Sequence, residues 1–122
     1  MSNIAELVEY EVTSWPNVEK LPHRFGGIEF RVNGHEIGHL HGNWQADLPF
    51  PVRTREELVA AGRASLHHIL PQTGWVSYYI RGPESVPGLI DLFRLNYERY
   101  HPRLYRTSTL PSESPDEDAT AM

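Results

Sequence analysis

Ile28-Glu29-Phe30-Arg31-Val32-Asn33-Gly34-His35-Glu36-Ile37-Gly38-His39-Leu40-His41 is the stretch on which the fold turns. Residues 28–32 alternate apolar with charged, the period of a strand buried on one face. Asn33-Gly34 is the strongest short hairpin signal, because a two-residue type I′ turn needs positive φ at both central positions. Residues 35–41 should therefore return antiparallel. Strict alternation puts His35, Ile37, His39 and His41 on one face and Glu36 on the other. Three imidazoles along one strand face are unusual, since histidine titrates near neutrality and ligates metals.

Reading outward, Gly42-Asn43 turns the chain again and Trp44 to Phe50 forms a third strand. Pro49 and Pro51 interrupt it, which predicts an edge position. Thr54, with Glu57 three residues on, reads as a capping box for a helix over 55–63. His67-His68-Ile69-Leu70-Pro71 is an irregular linker, and Gly74 precedes an aromatic, β-branched strand over 75–80. A helix from about 85 to 100 follows, with Val86, Leu89, Ile90, Phe93 and Tyr97 on one stripe. Before the hairpin, residues 3–13 have helical apolar spacing capped by Ser2 or Asn3, and Trp15-Pro16 ends that element. Pro22 to Gly27 reads as a loop. The expected order is α-β-β-β-α-β-α, an α+β domain over 1–105 with a mostly antiparallel sheet packed by helices. Residues 106–122, rich in Ser, Thr, Pro, Glu and Asp, read as a disordered acidic tail.

A chain of 122 residues suits one compact core. Its net charge is −5, but Glu113, Asp116, Glu117 and Asp118 lie in a stretch with no Lys or Arg, so the rest is close to neutral. That balance gives no electrostatic footprint for nucleic acid. No apolar run is long enough to span a bilayer, and the N-terminus lacks a basic-then-hydrophobic signal pattern, so the expectation is a soluble, cytoplasmic protein. The absence of cysteine excludes disulfides and thiolate ligands.

Two chemistries fit the histidines. His39-x-His41, with His68 from a distant segment, can form a His₃ face for a divalent metal, and Asp47 on the neighbouring strand can add a carboxylate. Without a metal, an imidazole is a suitable general base for an acidic enol or phenol. Trp44, Trp75, Tyr78 and Tyr79 supply flat walls for such a ligand, with Trp75, Ser77 and Tyr79 on one strand face and Val76, Tyr78 and Ile80 on the other. No nucleophile elbow, cysteine nucleophile, phosphate loop or carboxylate pair is visible.

Glu36-Ile37-x-His39-x-His41, then Leu48, His68-x-Leu70 and Trp75, resembles the luciferase-like domain that includes the fungal luciferases. Residues 22–27, 47–50 and 74–76 look like its small bacterial members, and the resemblance covers about residues 20–100. Fungal luciferases oxidise a hydroxylated pyrone with O₂, and they are longer, with an N-terminal membrane segment and an insertion between the first two strands. The resemblance implies His39, His41 and His68 as pocket histidines and Trp75 as an adjacent wall; Trp44 and Asp47 are further candidate ligand contacts from the residue chemistry alone. The implied partner is a small molecule, with no nucleic acid and no membrane; the cofactor is either none or a His-ligated divalent metal. The element order also looks distantly like the small double-wing domains of the YjbR type, which would make the chain a non-catalytic binding module.

Overall fold

The computed structural model describes residues 3–23 and 26–101. Helix α1 spans Ile4–Thr13, and strands β1 to β4 follow at Val18–Pro22, Ile28–Val32, His35–His41 and Gln45–Pro49. Helix α2 covers Val52–Ala60, β5 is Ser65–Leu66 and β6 is Trp75–Tyr79. A short 3₁₀ turn at Pro83–Ser85 leads into α3, Val86–Tyr100. The six strands form one antiparallel sheet in the order β1-β2-β3-β4-β6-β5. The α+β architecture is the one the hairpin implies, with two further strands. β1 pairs along its length with β2 at the sheet edge, but its own side chains are mostly exposed, so it carries no alternation to read. β5 is two residues long.

Local chemistry accounts for most boundaries. Asn33 and Gly34 hold φ of 52° and 84°, the left-handed pair that a tight hairpin requires. Asn3 caps α1: its side chain accepts from Glu6 N at 2.7 Å, and the Glu6 carboxylate accepts from Asn3 N. Two expectations are corrected. Helix α2 starts at Val52 behind Pro51, with no side-chain cap, so Thr54 lies inside the first turn rather than before it. The ring of Pro51, at φ −59°, already sets the chain for a helix. β4 is central, between β3 and β6, because Pro49 is its last residue and Pro51 lies beyond it. The tail over 106–122 lies outside the described residues.

The two sheet faces are chemically opposite. Phe30, Val32, Ile37, Leu40, Ala46, Leu48 and Val76 are buried with Val8 and Val12 of α1 and Leu89, Leu92, Phe93 and Tyr97 of α3. Each such side chain is worth about 1.5–3 kcal/mol of apolar burial, so this face dominates stability. Tyr97 Oη donates to Pro16 O at 2.8 Å and its ring packs on Trp15, which locks α3 to the end of α1. Among the described residues, no helix is long and apolar enough to cross a membrane.

Candidate functional site

The opposite face carries the histidines, and a bulge in β3 decides which ones. Along β2 and β3, Phe30 pairs with Gly38 but Arg31 pairs with Glu36, so Ile37 and Gly38 together oppose one step of β2. Gly38 has φ 150°, and a Cβ there would lie 2.6 Å from Phe93 Cε1 and 3.0 Å from Leu48 Cγ, so only glycine fits. Asn96, fully buried on α3, donates its amide to Ile37 O at 3.0 Å and Pro49 O at 2.7 Å, bracing the bulge from the core side. Alternation is reversed across the bulge, which corrects the simple reading. His35 and Ile37 face α3, with the His35 ring stacked on Tyr100 at 4.3 Å. Glu36 joins His39 and His41 on the open face.

Asp47 is the hub of that face. It sits directly across from His39 on β3 and from Ser77 on β6. One carboxylate oxygen, Oδ1, accepts from Gln45 Nε2 at 2.9 Å and Ser77 Oγ at 2.8 Å. The other, Oδ2, faces three imidazole Nε2 atoms: His41 at 2.9 Å, His39 at 3.4 Å and His67 at 3.6 Å. His39 Nδ1 donates to Glu36 Oε2 at 2.7 Å, so this ring lies between two carboxylates. His67 is held differently: its Nδ1 accepts the backbone N–H groups of Ile69 and Leu70, both at 3.1 Å. An N–H cannot donate to another N–H, so in the neutral ring the His67 hydrogen is on Nε2, aimed at Asp47.

The protonation pattern follows from these contacts. Burial opposes a charge on His39, but hydrogen bonds to Asp47 and Glu36 outweigh it and raise its pKa to about 9. Burial likewise works against ionised Asp47, yet the donors around it, His39, Gln45, Ser77 and His41, hold it well below the usual carboxylate range. Burial lowers the pKa of His67, and the two backbone donors at Nδ1 agree with a neutral ring. His23, stacked on His39 at 4.0 Å, is pushed down by burial and by its cationic neighbour.

These groups form the floor of a cleft of about 580 Å³. Trp75 is one wall, with its ring 5.5 Å from that of His39; Trp44, largely exposed, edges the mouth 5.9 Å from His41. Ile69 and Leu70 form an apolar rim. His68 lines the rim and stacks on His67 at 4.9 Å, but it is His67 that points to Asp47. Tyr78 faces the helix side, donating to Ser85 O at 2.6 Å, and Tyr79 is exposed near the sheet end. Among the described residues, two triplets have ligating atoms within 4.8 Å of one another, His39/His41/Asp47 and His23/Glu36/His39, and His68 belongs to neither.

Three contributors escape a reading by alternation: Glu36, His67 and His23. Glycine inside strand residues 35–41 is the signal that would have recovered Glu36, since an interior strand glycine commonly marks a bulge. The pair His67-His68 gave no basis for choosing, because the choice depends on which ring the Ile69 and Leu70 amides clasp. His23 reaches the cleft from the end of the edge strand that the sequence pattern did not reveal.

No curated protein and no solved structure matches the chain. A family model does: the Luciferase domain matches residues 34–96, a span that holds Glu36, His39, His41, Asp47, His67 and Trp75. Because that span is just over half of the 122 residues, the chain belongs to the Luciferase domain family.

Proposed function

We propose that the cleft binds a small, flat enol or phenol, hydroxypyrone-like in shape and acidity, and that the chain oxygenates it with O₂. The observation that carries this reading is the convergence of His39, His41 and His67 on one buried carboxylate at the floor of an apolar-walled cleft. The two indole rings suit an aromatic ligand, while the imidazole hydrogens suit its oxygen atoms. An imidazole of the cluster with a ring nitrogen left to accept, which His39 and His67 lack, takes the hydroxyl proton, leaving an electron-rich anion. That anion gives an electron pair to O₂: a carbon–oxygen bond forms at the ring carbon that carries the negative charge, the O–O bond falls to a single bond, and the outer oxygen takes the proton back from the imidazolium to give a hydroperoxide. Family membership supports oxygen chemistry in general terms and leaves the substrate to experiment.

The test is a panel of hydroxypyrones and phenols titrated against tryptophan fluorescence, with an oxygen electrode run in parallel. Quenching and oxygen uptake by wild type, both abolished in H39A/H41A with the fold retained by circular dichroism, is the expected result. Binding without oxygen uptake would assign a non-catalytic binding module. A folded chain that binds no member of the panel would end the reading.

A further inference from the structure

We infer that His39, His41 and Asp47 form a binding site for one divalent first-row transition-metal ion, with Glu36 as the carboxylate that orients His39. The inference goes beyond the proposed substrate reaction, because it rests on the cluster's own geometry and holds for any substrate.

Three observations carry it. The first is spacing. Ligands about 2.1 Å from a metal lie about 3.0 Å apart in cis octahedral positions and about 3.4 Å apart in a tetrahedron. His41 Nε2 and His39 Nε2 lie 2.9 and 3.4 Å from Asp47 Oδ2, and the ligand atoms of all three residues lie within 4.8 Å of one another, so both imidazole–carboxylate spacings already suit a shared ion. The second is the outer support. Ligating histidines commonly donate their other ring N–H to a carboxylate, and His39 Nδ1 makes that bond to Glu36 Oε2 at 2.7 Å. Asp47 is braced in the same way: Gln45 and Ser77 occupy Oδ1 and leave Oδ2 for one metal bond.

The third observation limits the donor set. His67 Nε2 is near enough to be considered, at 3.6 Å from Asp47 Oδ2, but the backbone donors at Nδ1 force the hydrogen onto Nε2. His67 therefore keeps its N–H on the side facing the ion and does not ligate it. The set is two imidazoles and one carboxylate oxygen, which leaves further coordination positions open toward the cleft. Two histidines and one carboxylate on one side of a metal is the arrangement that suits O₂ or water beside a substrate oxygen. The metal takes the place of the Nε2 hydrogen that His39, held between two carboxylates, directs at Asp47, so its uptake releases a proton.

The experiment uses the full chain, untagged and stripped with a chelator, titrated with cobalt(II) by absorption and with zinc(II) by calorimetry. The expected result is one ion per chain, a cobalt ligand-field spectrum of nitrogen and oxygen donors, and proton release on binding. E36Q, which keeps the packing and the hydrogen-bonding shape, should weaken affinity by about 10–100-fold. H39A and D47N should abolish binding, and H68A should leave it unchanged. A wild-type chain that stays folded yet takes up neither ion at sub-millimolar concentration would overturn the inference. So would binding that E36Q and D47N leave untouched in folded variants. Ligand titrations repeated with chelator present separate the two proposals: a pocket that still binds phenols while taking no metal refutes this inference alone.

Discussion

The two faces of the sheet use the same four central strands for opposite ends. On the helix side, Phe30, Ile37, Leu40, Leu48 and Phe93 exclude water by packing alone. On the open side, Glu36, His39, His41 and Asp47 are buried or half-buried, and the contacts between their carboxylates and imidazoles are polar and depend on protonation. The difference shows where stability and function are kept. Apolar burial tolerates shifts in detail because it is non-directional, whereas the carboxylate–imidazole cluster needs its atoms placed to within a few tenths of an ångström. The β3 bulge joins the two: its glycine is demanded by the packed face, and its consequence, Glu36 beside His39, appears on the open one.

The sharpest way to break the comparison is at that joint. G38V should cost about 3 kcal/mol or more in denaturant unfolding, through a clash with Phe93 and a backbone conformation hostile to side chains, or should prevent folding altogether. A near-neutral result would mean the bulge can relax. Next is N96L, which leaves the Ile37 carbonyl without its buried donor and Pro49 O with only the 3.5 Å bond from Arg99 Nη1, and should cost about 2–4 kcal/mol. It should also weaken ligand or metal binding, although Asn96 lies on the far side of the sheet. Unchanged binding in a destabilised N96L would separate the bulge from the site.

The third prediction concerns pH in the chelator-treated protein, read as melting temperature. His39 has its folded pKa raised from 6.5 to about 9, so its stabilising contribution is complete below 6.5 and is lost as pH rises through about 9. Asp47 is depressed, so its contribution is present above its ordinary value of 3.8 and is lost as pH falls below it. Both limbs draw on shared hydrogen bonds, with Glu36, His41, His67 and His23 as the other titratable neighbours. D47N should flatten both limbs. If the alkaline limb is as steep in D47N as in wild type, the Asp47–His39 contact is not its source.

The smallest effects belong at the mouth of the cleft. W44A should leave the melting temperature close to wild type while weakening aromatic ligand binding, because the ring is more than half exposed. A large loss of stability in W44A would make Trp44 part of the fold rather than of the cleft.

Much of this protein was legible from its residues. Asn33-Gly34 demanded the hairpin, Ser2 or Asn3 marked the start of the first helix, and His39, His41, Asp47 and Trp75, singled out by residue type, line one cleft. The hairpin and cap readings worked because each rests on a local rule: a turn's φ requirement or a cap's hydrogen bond. The central place of β4 was misread because Pro49 was weighed as if it lay inside the strand, when it closes it. The helix at Val52 was misplaced because two start signals, Pro51 and Thr54, compete within four residues.

By itself, then, the sequence determined an antiparallel hairpin, an α+β class and a pair of histidines on one strand face. Only the tertiary structure decided that Glu36 joins them, that His67 rather than His68 meets Asp47, and that Asn96 holds the arrangement from behind. The reason is physical. Strand alternation and turn chemistry act over a few residues, but a bulge, a cross-strand register and a ring tautomer are set by partners tens of residues away, and the pattern of the local chain carries no trace of them.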